Sequence, residues 1–158
     1  MVTGTETTNI VATCLHDLFK SMRRPQVWSA VTKQAGVDID RPGFSLLAVL
    51  YHTEKGSWKL HDIAAALGVE APSVTRKAQQ LERDGLVMRV PDDKDGRAVR
   101  LRLTEAGAAI HHKIKAVQMA LYEQALSGWS DHDKQTLAQL MERMTSDIAS
   151  AQDTFAKD

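Results

Sequence analysis

The 158-residue sequence has one cysteine, few aromatics and no excess of charge of either sign. Cys14 alone cannot close an internal disulfide, which excludes a disulfide scaffold and suits a reducing compartment. Lys and Arg number 20, as do Asp and Glu, so the chain is not a polybasic protein that coats nucleic acid without regard to sequence. The longest apolar run is Leu46-Leu47-Ala48-Val49-Leu50-Tyr51, far short of the ~20 residues a membrane-spanning helix needs. Met1 to Asn9 holds no basic residue and precedes no long apolar stretch, so no secretory signal is expected and the reading is cytoplasmic. With aromatics at 5%, the core must come mainly from Leu, Val, Ile, Ala and Met.

What is present is helical periodicity cut by proline and glycine. Ile10, Val11, Cys14, Leu15, Leu18, Phe19 and Met22 follow the spacing of an amphipathic helix, which Pro25 interrupts. A second helical piece through Val27, Trp28, Val31 and Ala35 stops at Gly36. Asp38 to Gly43 reads as a loop with a turn at Arg41-Pro42-Gly43, and Ser45 to His52 as a short buried helix. A helix from Leu60 to Gly68, a tight turn, and a second helix entered through Pro72 and ended at Gly85 have the shape of a helix-turn-helix. Leu86 to Val90 and Ala98 to Leu103 read as two strands around a tip at residues 91–97, which makes a wing. Thr104 caps a long helix with Ile110, Ile114, Val117 and Leu121 on one stripe, ended by Gly128. Ser130 and Asp133 open a last helix striped by Leu137, Leu140, Met141, Met144 and Ile148.

The expected fold is therefore mainly α with a small β-hairpin: a winged helix-turn-helix core flanked by N- and C-terminal dimerisation helices. The expected parts are residues 1–40 (N-terminal dimerisation helices), 41–105 (DNA-binding lobe) and 106–158 (C-terminal dimerisation helices), as lobes of one compact chain. The outer stripes need a partner surface, and a second copy of the chain is the economical one.

On a 100° wheel, Val74, Ala78 and Leu81 share one stripe, so the second helix of the motif must turn Arg76, Gln79, Gln80 and Arg83 outward. Ser73 and Thr75 flank its N-terminal end. Arginine bonds guanine bidentately, glutamine bonds adenine, and Ser or Thr serves base or phosphate. Ser73, Thr75, Arg76 and Gln79 are expected at base edges, with Gln80 and Arg83 nearer phosphates. Arg97 at the hairpin tip suits the minor groove, and Lys94 and Arg100 suit phosphates beside it. Asp92, Asp93 and Asp95 would repel the DNA backbone unless they orient those basic groups.

Leu60-His61-Asp62-Ile63-Ala64, Ser73-Val74-Thr75-Arg76, Leu81-Glu82-Arg83-Asp84-Gly85-Leu86-Val87, Asp92-Asp93-Lys94-Asp95-Gly96-Arg97 and Leu103-Thr104-Glu105-Ala106-Gly107 stand in an order and spacing that resembles the MarR family. These are bacterial and archaeal winged-helix transcription regulators. The resemblance is specific from about Arg41 to Gly107. It implies a homodimer with interlocked terminal helices, recognition helices in successive major grooves of a palindromic operator, and repression relieved by a small phenolic or other amphipathic ligand bound between lobes. Two positions depart from the pattern. Gly96 replaces the first arginine of the usual Asp-Arg-Arg wing, and Ala71 stands at the recognition-helix cap, where Ser or Asp is common and worth about 1 kcal/mol.

Trp28, Phe44, Tyr51 and His16 are the candidate lining of an effector pocket. Cys14 lies where peroxide-sensing members resembled here carry a reactive thiol, so a redox-responsive regulator is one alternative. Its place on the apolar stripe favours a small buried hydrophobe. A winged helix used only for protein contacts is the other alternative. No metal or cofactor is expected: His111 and His112, adjacent on a helix, point about 100° apart and cannot share an ion. No enzyme is expected either. Cys14 and His16 face apart on their helix, and no phosphate loop, nucleophile elbow or HExxH motif occurs.

Overall fold

The computed structural model describes residues 4–53, 56–92 and 99–155. Among them, helix α1 (Gly4–Met22) is followed by α2 (Pro25–Ala35), with Pro25 in the first turn and Gly36 closing the end. Helix α3 (Arg41–Tyr51) begins earlier than the sequence reading placed it. Arg41-Pro42-Gly43 is not a free turn but the first helical turn, because the Asp40 carboxylate accepts from Gly43 N at 2.9 Å and proline supplies a position that needs no donor.

Strand β1 (Trp58–Lys59) precedes α4 (Leu60–Leu67), the turn, and α5 (Ala71–Arg83). Gly68 ends α4 at φ 63°, and the bond from Val69 N to Ala64 O closes that end. The cap of α5 is Glu70 rather than Ala71, and its side chain makes no capping bond. Strands β2 (Val87–Pro91) and β3 (Val99–Leu103) form the hairpin, and β1 adds to it to give the order β1-β3-β2, all antiparallel. The two-residue strand β1 was not legible as a strand. Thr104 caps α6 (Glu105–Ala125), accepting from Gly107 N and donating to Gly85 O. Helix α7 (Asp131–Phe155) starts at the Ser130 hydroxyl, which accepts from Asp133 N at 3.1 Å.

The chain divides into two compact units, Met1–Gln118 and Met119–Asp158. In the first, Leu46, Leu47 and Leu50 of α3, Ile63 of α4, the Val74/Ala78/Leu81 stripe of α5, Leu101 of β3 and Ile114 of α6 form one buried core. Burying each of its Val, Leu and Ile side chains is worth about 1.5–3 kcal/mol, so this core orients α5. Gly107 is essential to the join between hairpin and α6, since a Cβ there would meet Leu86 O at 2.1 Å. No residue of α1 is buried, and Phe19 is 57% exposed. In the second unit Leu140, Met141 and Ile148 of α7 are likewise exposed. No helix among the described residues is long and apolar enough to cross a membrane.

Candidate nucleic-acid interface

Helix α5 separates its two faces cleanly. Val74, Ala78 and Leu81 are buried, whereas Ser73, Arg76, Gln79, Gln80 and Arg83 are exposed. Thr75 is half-buried and its hydroxyl donates back to Ala71 O at 3.0 Å. Gln80 accepts from Lys77 Nζ at 2.8 Å, and Lys77 also pairs with Asp40 across to α3. Among the described residues no ion pair engages Arg76 or Arg83, so the exposed edge offers Ser73, Arg76, Gln79 and Arg83. Glu82, next to Arg83, is drawn aside by Arg89 Nε at 3.0 Å.

Arg100 sits differently from the expectation. It is not a free phosphate ligand: Nε donates to Ser57 Oγ at 3.0 Å, Nη2 to Ser57 O at 2.7 Å, and Nη1 to Asp92 at 2.9 Å. Asp92 is 5% exposed and also pairs with Lys59 at 3.4 Å. The physical reason is strand register, because Lys59 is paired with Arg100 across β1 and β3. Two cations brought side by side recruit the aspartate, and the three side chains brace the base of the hairpin. Asp92 is therefore an orienting group and not a repulsive one. Lys94 and Arg97, with Asp93, Asp95 and Gly96, lie outside the described residues.

The expected pocket residues are placed in two different settings. Trp28, Phe44 and Tyr51 join an aromatic cluster, with Trp28 and Phe44 centroids 5.4 Å apart and Tyr51 stacked 4.0 Å from His111. Trp28 Nε1 donates to Ile39 O at 3.0 Å, and His16 stands exposed on α1. A groove of about 610 Å³ opens at the start of α3, lined by Pro42, Leu46, Leu67 and Val69 with Arg23, Arg41 and Lys77 among its polar groups. Sequence reasoning missed it because its cations come from three separate segments. Arg41 also donates to Met22 O at 2.9 Å, closing the C-terminal end of α1. Cys14 is exposed in the single chain. Among the described residues no three His, Cys, Asp or Glu side chains converge as a metal site.

A three-stranded wing beside a helix-turn-helix, with a polar recognition edge, defines a winged-helix DNA-binding regulator. Residues 39–99, from the start of the winged-helix lobe into the hairpin, match the MarR family. It is 26% identical over 129 residues to the HTH-type transcriptional regulator YxaD of Bacillus subtilis, covering 82% of this chain and 88% of that one. It is also 26% identical over 106 residues to the HTH-type transcriptional repressor IacR of Pseudomonas putida, covering 67% of this chain and 62% of the relative. Among solved structures, a MarR family protein from Bacillus stearothermophilus superposes with a TM-score of 0.78 at 21% identity, over 93% of this chain and 99% of that one. Streptococcus pneumoniae FabT, solved in complex with DNA, gives 0.69 at 20% identity, over 90% and 98%.

Proposed function

We propose that the protein is a homodimeric, non-catalytic repressor that reads a palindromic operator through α5 and the wing and is released by a small amphipathic anion. The observation that carries the DNA reading is the outward edge of Ser73, Arg76, Gln79 and Arg83, held against rotation by the buried stripe behind it. Ser73, Thr75, Arg76 and Gln79 are assigned to base edges, Gln80 and Arg83 to phosphates, and Lys94 and Arg97 to the wing's contacts. Residues 41–105 serve as the DNA-binding lobe, with 1–40 and 106–158 supplying the dimer surface. The exposed Ile10, Leu18 and Phe19 of α1, and Leu140, Met141 and Ile148 of α7, support that surface, since such stripes need covering. Cys14 lies on the α1 stripe and is assigned to the same interface rather than to redox sensing.

The groove of Arg23, Arg41 and Lys77 over Pro42, Leu46 and Leu67 suits an aromatic or aliphatic carboxylate. Such an anion competes with Asp40 for Lys77, which links its binding to the position of α5.

The test is a mobility shift with the intergenic DNA beside the protein's own gene against a scrambled duplex. Preferential binding, with a footprint of two half-sites about one helical turn apart, is expected. Equal, weak binding to both duplexes refutes the DNA reading and leaves a protein-contact module. Phe19→Asp should shift the dimer towards monomer in light scattering, and 4-hydroxybenzoate should weaken the wild-type shift. Cys14→Ser should leave the response of DNA binding to peroxide the same as in the wild type; a response lost with the thiol would favour redox sensing.

A further inference from the structure

His111 is the most deeply buried polar side chain among the described residues, at 2% exposure, and neither Nδ1 nor Nε2 has a hydrogen-bond partner. Buried polar groups are ordinarily satisfied, so this ring calls for an explanation. It projects from α6 onto the aromatic face of α3. Its plane lies 14° from that of Phe44, with centroids 5.5 Å apart, and 21° from that of Tyr51 at 4.0 Å. Phe44 and Tyr51 are two turns apart on α3, so the imidazole stacks on both rings as part of one layer. His52 and His112 approach its edge at 5.6 and 6.0 Å.

A neutral ring in this slot leaves one donor and one acceptor unmet. A protonated ring would leave two donors and a full charge unmet, which costs far more. The groups that bear on it are basic: His52 at the C-terminal cap of α3, and His112 and Lys115 from α6 itself. Tyr51 offers its ring face, and its hydroxyl is engaged with His112 Nε2 at 2.7 Å. Trp28 of α2 reaches the cluster through Phe44 and brings only the Arg41 guanidinium over its own ring. Stacking on two ring faces favours a cation slightly, but it cannot replace lost hydration. Burial first, then the neighbouring cations, hold the His111 pKa down at about 4 against an ordinary 6.5.

We propose that His111 is a proton-operated latch that joins α6 to α3 while neutral and must leave its slot for water once protonated. A ring released to water regains an ordinary affinity for protons. The contribution of the latch is therefore complete above about pH 6.5 and is withdrawn as the pH falls towards 4. Asp40, at the other end of α3, holds Lys77 of α5, so loosening of α3 reaches the helix assigned to DNA.

The experiment is amide hydrogen exchange between pH 7 and pH 5, with histidine ring NMR from pH 7 to about pH 3.5, on the full chain and on His111→Phe. Corrected for intrinsic exchange, protection in α3 and in α6 near His111 should fall about tenfold or more in the wild type. In His111→Phe, which keeps an aromatic ring but cannot titrate, it should change by less than about threefold. If His111→Phe does not fold, the wild-type ring decides: its protonation must coincide with loss of the nuclear Overhauser contact to Tyr51. Parallel losses in both proteins overturn the proposal, as does a ring that protonates near pH 6.5 with α3 and α6 protection unchanged. Both measurements are made without DNA, so failure here is distinct from failure of the DNA reading.

Discussion

Lys77 Nζ, on the recognition helix, lies 2.5 Å from Oδ2 of Asp40, the residue that caps α3. One carboxylate thus does two things: Oδ1 accepts from Gly43 N and Oδ2 holds α5 in place. Asp40→Ala should lower stability by about 1–2 kcal/mol, mostly through the lost cap. Lys77→Ala should lower it by less than about 1 kcal/mol, because the Asp40 carboxylate is half in water and the pair is screened. Urea denaturation of both variants checks the order, and an equal loss would place the stabilisation in the ion pair.

Gly107→Ala should be destabilising despite alanine's better helix propensity. Its Cβ would stand 2.1 Å from Leu86 O and 2.7 Å from Leu103 Cδ1, and the first of these is backbone. A cost of about 2–3 kcal/mol is expected, at the upper end for overpacking. Thermal unfolding measures it, and an unchanged midpoint would mean that α6 can move away from the hairpin freely.

Arg100→Ala removes three donated bonds from the base of the wing and takes a cation from a buried carboxylate. A loss of about 2–3 kcal/mol is expected, moderated by Lys59, which stays within reach of Asp92. Arg100→Lys should restore little, since an ammonium cannot reproduce the fork that spans Ser57 and Asp92. If instead both variants are as stable as the wild type and only lose DNA affinity, Arg100 is a phosphate contact after all.

Arg76→Ala and Arg97→Ala should each weaken operator binding by about 1–3 kcal/mol, with different signatures. Loss of Arg76 should also relax base preference in a binding-site selection. Loss of Arg97 should weaken affinity most on operators with a narrow A/T-rich minor groove. A uniform loss across all sequences from Arg76→Ala would move that residue to the phosphates.

Much of this architecture was legible because helices announce themselves by period. The stripe of Val74, Ala78 and Leu81 and the outward Arg76 and Gln79 follow from 100° per residue, and their burial and exposure in the fold agree with it. Other features escaped for equally physical reasons. Trp58-Lys59 is too short to show alternation, and it becomes a strand only by pairing with Leu101 and Arg100. Arg41-Pro42-Gly43 has the composition of a turn, and only the Asp40 carboxylate reveals it as a helix start. The recognition-helix cap shifts by one residue for a similar reason, since backbone dihedrals and not residue type decide where a helix begins.

Local pattern alone was enough to specify the order of helices, the wing and the polar recognition edge, because periodicity and capping act over a few residues. It was also enough to point to a resemblance to the MarR family, because the motifs that carry it are short and contiguous. Which charges stay available was settled only in three dimensions. Arg100 is withdrawn into a brace with Asp92, Lys77 is tied to α3, and His111 is shut among aromatics while its chain neighbour His112 stays exposed. Those outcomes depend on residues distant in the chain meeting across helices and strands, and such meetings leave no period in the sequence.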